Sequence, residues 1–280
     1  MTSEPFAIRP MGRADLDRVL DWAAMEGWNP GLHDAECFWA TDPGGFLVGE
    51  LAGEAVAGIS AVAYGADFGF LGLFIVAPEH RGRGFGRRLW RAGLARLGGR
   101  SVGLDGDPAR PDGYHRSGFR LAYRNVRFEG AGRAQEASAA VDLASLPFAQ
   151  VAAYDRELFP APRERFLERW IAVPDGRALG LLETGRLSGY GVIRRCRTGH
   201  KIGPLFADGA DQAEALFRAL SATAPGEPLV LDVPEPNAAA VALARGHGMK
   251  AVFETARMYR GKEPDIPLRR VFGVTTLELG

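Results

Sequence analysis

The stretch that decides the fold runs Phe68-Gly69-Phe70-Leu71-Gly72-Leu73-Phe74-Ile75-Val76-Ala77-Pro78-Glu79-His80-Arg81-Gly82-Arg83-Gly84-Phe85-Gly86-Arg87-Arg88-Leu89-Trp90. Residues 68–76 carry no polar side chain, which suits a strand covered on both faces. Pro78 ends that run. Glycines follow at 82, 84 and 86, and Leu89, Trp90, Gly93, Leu94 and Leu97 then mark one face of a helix. A buried strand, a glycine loop and a helix therefore stand in that order. Glycines let main-chain N–H groups converge without Cβ obstruction. The unbonded N–H groups of a helix's first turn, with the helix dipole, make an anion site. Arg81, Arg83, Arg87 and Arg88 add positive charge. A pyrophosphate is the natural occupant.

Two familiar phosphate loops fit badly. The dinucleotide fingerprint wants GxGxxG after a first strand, whereas here the glycines are spaced GxGxG after a later one. The P-loop needs Gly-Lys-Ser/Thr, and no lysine precedes Lys201.

Working outward, residues 6–9 read as a short strand and 15–24 as a helix with Leu16, Val19, Leu20 and Ala23 on one face. A short helix is expected over 32–39. Strands follow at 46–51 and 55–64, a strand at 101–105, a short helix at 111–117 and a strand at 119–128. Residues 129–134, rich in small side chains, mark the domain boundary. Beyond it come helices at 148–158 and 163–171, then strands at 178–183, 187–194 and 201–207. A helix carries Ala213, Leu216, Phe217 and Leu220. Residues 229–233 form a strand, 238–245 a helix and 249–259 a strand, and 271–279 close the chain. The order repeats. Leu104-Asp105 precedes Leu231-Asp232 by 127 positions, and Gly118-Phe119 precedes Gly248-Met249 by 130. Two copies of one mixed α/β fold, over 1–130 and 131–280, are the simplest explanation.

Composition sets the outer bounds. The chain of 280 residues has 46% hydrophobic and 24% charged residues, a globular balance that excludes disorder. Lys+Arg and Asp+Glu both number 34, so no net charge draws the whole protein to nucleic acid or anionic lipid. Two cysteines, Cys37 and Cys196, cannot make a disulfide framework. Residues 2–4 do not resemble a leader, and no apolar run reaches about 18 residues, so a cytoplasmic setting without a membrane span is expected. His33 and Cys37 share a helical face, but the scattered histidines give no metal spacing. Cys196 stands among Arg194, Arg195 and Arg197, which reads as a solvated edge-strand face.

Arg81-x-x-Gly84-x-Gly86 after an apolar strand resembles motif A of the GNAT N-acetyltransferases, which reads Q/R-x-x-G-x-G/A. Tyr114-His115-Arg116-Ser117-Gly118-Phe119 is similar to their following Tyr-x-x-x-Gly-Phe segment. The resemblance spans roughly residues 6–128, and the second half resembles a degenerate copy. Trp28-Asn29-Pro30-Gly31, the central loop and residues 271–280 are similar to a bacterial tandem subgroup of about this length. The resemblance implies two tandem GNAT folds and an acetyl-CoA or other acyl-CoA co-substrate, with no metal. It implies that main-chain groups of Phe74, Ile75 and Val76 pair with the pantetheine arm. The pyrophosphate would rest on Arg81, Gly82, Arg83, Gly84, Phe85, Gly86 and Arg87. Tyr114 would be the proton donor to the leaving thiolate, and Trp28 and Asn29 would border the acceptor.

The chemistry needs an amine that attacks the thioester, stabilisation of the oxyanion, and a proton for the leaving sulfur. The base stays open among Glu26, Asp34, Asp67, Asp105 and solvent, with Asp105 expected to shape a turn. In the second copy the helix register sets Asp208 against Arg81 and Asp211 against Gly84, where carboxylates repel a pyrophosphate. Ala244 stands opposite Tyr114. The expected activity is acyl transfer to a primary amine of a small molecule. The alternative is a CoA-binding sensor or partner-binding protein without turnover.

Overall fold

Alternating and continuous apolar runs assemble, among the described residues, into one mixed sheet of 13 strands. The computed structural model describes residues 6–134 and 139–280. Residues 2–4, read above as free of a leader, lie outside the described residues.

The first half contains β1 (Phe6–Pro10), α1 (Arg13–Met25), α2 (Asp34–Thr41), β2 (Phe46–Leu51), β3 (Glu54–Tyr64) and β4 (Phe68–Val76). It continues with α3 (Phe85–Arg96), β5 (Ser101–Gly106), α4 (Pro111–Arg116) and β6 (Arg120–Ala131). The second half contains β7 (Val141–Asp142), α5 (Phe148–Arg156), α6 (Glu164–Trp170), β8 (Gly176–Glu183), β9 (Arg186–Arg195) and β10 (His200–Ala207). Then come α7 (Ala210–Ser221), β11 (Pro228–Pro234), α8 (Ala238–Gly246), β12 (Lys250–Arg260) and β13 (Val271–Gly273). The closing segment is strand only as far as Gly273. The short β7, paired with β8 through Val141 and Gly180, carries too few residues to show a period.

The repeat is visible in backbone detail. Phe119 N–H donates to Tyr114 C=O at 3.1 Å across Gly118 (φ +86°), and Met249 N–H donates to Ala244 C=O at 3.1 Å across Gly248 (φ +74°). The left-handed residue that closes each helix is glycine for the usual steric reason.

Strand order is β1-β2-β3-β4-β5-β12-β6-β11-β10-β9-β8-β7, with β13 on β10. Among the described residues, β12 pairs only with β5 and β6, and β6 only with β12 and β11. Each half therefore gives one strand, β6 or β12, to the sheet of the other. Helix α3 packs on the first sheet through Leu89, with Leu97 just after its end, against Ile59, Leu71 and Leu104, and β12 adds Ala256 and Met258 to that core. Helices α7 and α8 do the same in the second half, with Phe128 of β6 in their core. A third core joins the halves: Leu16, Val19 and Phe38 of α1 and α2 meet Val151, Phe166 and Trp170 of α5 and α6.

Two buried ion pairs lock the exchange. Arg257 on β12 grips Asp105 on β5 at 2.6 and 3.0 Å. Arg127 on β6 grips Asp232 on β11 at 2.7 and 2.8 Å. Both are two-pronged guanidinium–carboxylate contacts, the strong form of such a pair. Asp105 is thus no turn-former. Its side chain is fully buried and also accepts from Asn125 at 2.8 Å. The Arg194 and Cys196 reading is likewise corrected. Strand β9 runs between β8 and β10, Arg194 is buried against Asp34 at 2.8 Å, and burial pushes the Cys196 thiol up.

Burial alone would raise the Asp232 carboxyl, but the charge and hydrogen bonds of Arg127 outweigh it and hold it below the usual range. A depressed folded value contributes stability that is present above the unfolded value, about 3.9, and is lost as pH falls through the folded one. Asp232→Asn leaves Arg127 buried without its anion and is expected to cost about 3–5 kcal/mol at pH 7. That cost should shrink as the pH falls below about 4. Urea unfolding of both proteins at several pH values measures it.

Candidate active site

Strands β4 and β5 run parallel only from Phe68 opposite Ser101 to Leu71 opposite Leu104. Beyond that point β4 bulges. Gly72 to Ile75 on β4 faces Ser60 to Gly58 on β3, one residue more on β4, and Leu73 takes φ +45°. A bulge bends its strand and re-aims the residues beyond it. The two strands part, and a cavity of about 570 Å³ opens between them.

Leu71–Val76 line one side of that cavity and Leu104–Asp107 the other. The glycine loop closes one end. Gly82 and Gly84 take φ +77° and +83°, where only glycine is unstrained. The first intrahelical bond of α3 runs from Arg88 N–H to Gly84 C=O at 3.3 Å, so the N–H groups of Phe85, Gly86 and Arg87 precede it. Gly86 faces β4, where a Cβ would stand 3.2 Å from Phe74 and Val76. Arg81 Nε donates to Val76 C=O at 2.9 Å, and its other end pairs with Glu26.

Tyr114 enters from α4. Its hydroxyl accepts from Asp107 N–H at 3.4 Å, and its ring lies 5.8 Å from Trp90. Gly106 makes room, since a Cβ there would stand 2.6 Å from the Tyr114 ring. Burial raises the phenol above its ordinary value of 10.0, so it carries its proton at neutral pH.

Phe74, Ile75, Val76, Arg81, Gly82, Gly84, Phe85, Gly86, Arg87, Tyr114 and Trp28 all line the cavity. Arg83 and Asn29 are not among the lining residues. Arg83 turns back over the Phe85 ring at 4.8 Å and meets His80 at 3.2 Å. Asn29, at φ +53°, clamps Thr198 of the second half, donating to its C=O at 2.8 Å and accepting from its N–H at 2.9 Å. Of the candidate bases, Glu26 and Asp105 line the cavity and each is held by an arginine. Asp34 is committed to Arg194, and the Asp67 carbonyl accepts from Ser101 N–H at 2.9 Å in the turn before β4.

Residues of the second half also line the cavity: Phe253, Thr255, Leu277 and Glu278. Sequence reasoning missed them because β12 reaches the cavity through strand exchange and the closing segment by crossing to the bulge of β4. The repeat holds one usable signal, since Phe253 and Thr255 stand 130 positions after Tyr123 and Asn125.

The second half repeats the bulge but not the opening. Ile202 to Leu205 on β10 faces Ile193 to Gly191 on β9, again one residue more on the inner strand. Strands β10 and β11 pair as far as Ile202 opposite Leu231. There β13 takes the freed edge, with Leu205 opposite Gly273 and Phe206 opposite Val271, and Val274 N–H donates to Asp232 C=O at 2.9 Å. Only Asp208 and Gly209 connect β10 to α7, and Asp208 is held by Arg270 and Tyr154.

Comparison with known proteins agrees with this geometry. The profile "Acetyltransferase (GNAT) family" matches residues 14–109, and "Acetyltransferase (GNAT) domain" matches 151–273. The chain is 32% identical to the holothin acyltransferase of Pseudoalteromonas sp. (strain SANK 73390), over 99% of this chain and 95% of that one. The chain belongs to the GNAT acyltransferase family. The GNAT fold itself recurs in a putative acetyltransferase from Pyrococcus horikoshii, with TM-score 0.85, 22% identity and coverage of 98% and 96%. It recurs in a tandem GNAT protein from the clavulanic acid biosynthesis pathway, with TM-score 0.62, 15% identity and coverage of 92% and 100%. Among the described residues no helix is long and apolar enough to cross a membrane, and no group of three or more His, Cys, Asp or Glu could hold a metal ion.

Gly84→Asp puts a carboxylate and a Cβ where the GNAT loop needs open N–H groups and a left-handed backbone. It is expected to weaken acetyl-CoA binding at least tenfold in a calorimetric titration, whereas Arg83→Ala, outside the cavity, leaves the affinity within about threefold.

Proposed function

We propose that this protein transfers an acetyl or other acyl group from acyl-CoA to a primary amine of a small molecule, by direct attack, at a single site in its first half. The observation that carries this reading is the parting of β4 and β5 beside the positive-φ glycine loop. The free edge of Leu73–Val76 suits an extended chain with amide groups, and the N–H groups of 85–87 suit the pyrophosphate. The residues fit such a ligand, since no Cβ or carboxylate of the loop crowds the turn at Gly82 and Gly84. The co-substrate supplies an activated thioester carbonyl when bound.

The chain's own residues do the rest. The bulged strand orients the acyl group, and the cavity walls hold the amine against it. Tyr114 holds a proton at its hydroxyl for the departing sulfur, and its raised value keeps that proton in place to beyond pH 10. No covalent intermediate with the protein is required, and burial pushes Cys37 up to about 12, which leaves it a poor nucleophile.

Residues 1–130 form the catalytic unit in this reading, and residues 131–280 a non-catalytic unit that walls the acceptor end. Supporting it, β13 fills the edge in the second half that stays open in the first. The relative named for holothin makes holothin the first acceptor to try. A cytoplasmic setting suits a reaction that draws on acyl-CoA.

Titration with acetyl-CoA should saturate at one site per chain. Two sites would remove the single-site reading, and none would leave a partner-binding protein. Tyr114→Phe keeps the ring packing on Trp90 and removes the hydroxyl, with its proton and its contact to Asp107 N–H. It is expected to lower kcat by about 10²-fold or more with the acetyl-CoA Kd within twofold, measured by steady-state kinetics beside the titration.

A further inference from the structure

The closing segment does more than plug the second half. After Val274 it crosses to the bulge of β4, where a Cβ at Gly72 would overlap the Glu278 carbonyl. Ser60 Oγ donates to that carbonyl at 3.4 Å, and Tyr64 Oη donates to Leu279 C=O at 2.9 Å. These main-chain contacts fix Glu278 on the cavity wall, 6% exposed, beside Trp28 and Arg127.

The side chain differs from its neighbours. Glu26 is paired with Arg81, Asp105 with Arg257, and Asp107 with Arg110 at 3.4 Å. Among the described residues, Glu278 has no such hydrogen bond or ion pair to its carboxylate. Charged or titratable groups in electrostatic reach of it include Arg127 on β6, Arg194 on β9, Lys201 on β10 and Cys196 after β9. Arg127 and Arg194 already spend their prongs on Asp232 and Asp34. Lys201 gives its hydrogen bond to Trp28 C=O at 2.8 Å. On the cavity wall, with no protein donor on its oxygens, this carboxylate has open acceptor positions for a group brought into the cavity.

We infer that Glu278 receives the acceptor's ammonium group and is the catalytic base, an inference that rests on the acyl-transfer reading above. The carboxylate takes one proton from R–NH3+, leaving R–NH2. The nitrogen lone pair forms the C–N bond at the thioester carbonyl carbon while the C–S bond breaks. Tyr114 gives its proton to the departing sulfur, and the second proton lost by the nitrogen restores the Tyr114 hydroxyl. Glu278 returns its proton to solvent. The acceptor class is then a primary amine that arrives as a cation, with an apolar or unsaturated body that suits Trp28, Phe253 and Leu277.

The test uses Glu278→Gln in the full chain, which keeps the main-chain contacts. Acetyl-CoA is titrated first. Affinity within twofold of wild type separates this inference from the acyl-transfer reading, because loss of binding in wild type itself overturns that reading and this one with it. With holothin as acceptor, kcat/KM of wild type should show an acid limb. Glu278→Gln should lower kcat/KM at least tenfold at pH 7 and shift the limb up to the amine's own ionisation. A counter-ion serving only Lys201 would lower Tm in the variant and leave the limb in place, which overturns the inference. If wild type leaves holothin unacylated, binding of benzylamine at pH 7 is followed by saturation-transfer NMR. Signal lost in Glu278→Gln supports the inference, and equal signals in the two proteins overturn it.

Discussion

A carboxylate buried where two parallel strands part must find a cation, and in this chain both cations come from the opposite half. Asp105 has Arg257 and Asp232 has Arg127. Removing either partner leaves a charge in the interior, which costs far more than a surface pair contributes. Each arginine sits on an exchanged strand, so the pairs lock the exchange and fix which strand lies beside which. The rest of the architecture depends on that register. Strand β12 completes the sheet beside β5, brings Phe253 and Thr255 to the cavity, and joins Ala256 and Met258 to the core under α3.

The two halves start from the same local device and end differently. Both carry a bulge that parts the inner strand from its parallel neighbour. An unpaired strand edge inside a protein needs hydrogen-bond partners. In the second half β13 supplies them, so the edge is satisfied without any ligand. In the first half the edge beyond Leu71 faces the cavity and is left open to a ligand. The loops differ in step. Residues 77–84 turn through positive-φ glycines before α3, while Asp208 and Gly209 alone precede α7.

How much of this the sequence carried depends on the range of the interaction. The apolar run at 68–76, the spaced glycines and the Tyr114 to Phe119 turn are local patterns, and all became the expected strand, loop and helix–strand turn. The register between copies was legible too, because Leu104–Leu231 and Gly118–Gly248 are spacings along one chain. The exchange was not, since an antiparallel strand reads the same whichever sheet receives it. Asp105 shows the cost: from sequence it is a polar residue at a strand end, and only Arg257, 152 positions away, makes it a buried ion pair. Arg194 and Cys196 were misread for a related reason. A polar run signals an edge strand unless a distant carboxylate, here Asp34, neutralises it inside.

The closing segment serves both halves at once. It leaves the second half at Val274, having satisfied the edge of β10, and reaches the bulge of β4 within a few residues. One stretch of chain therefore closes one cleft and finishes the wall of the other. That arrangement gives a physical role to a second copy whose β10 edge is already covered by β13. A lone first half would lack β12 beside β5, and with it Arg257 on Asp105 and the wall at Phe253 and Leu277. The plugged cleft of the second half sets the position of the tail, and the tail sets the position of Glu278.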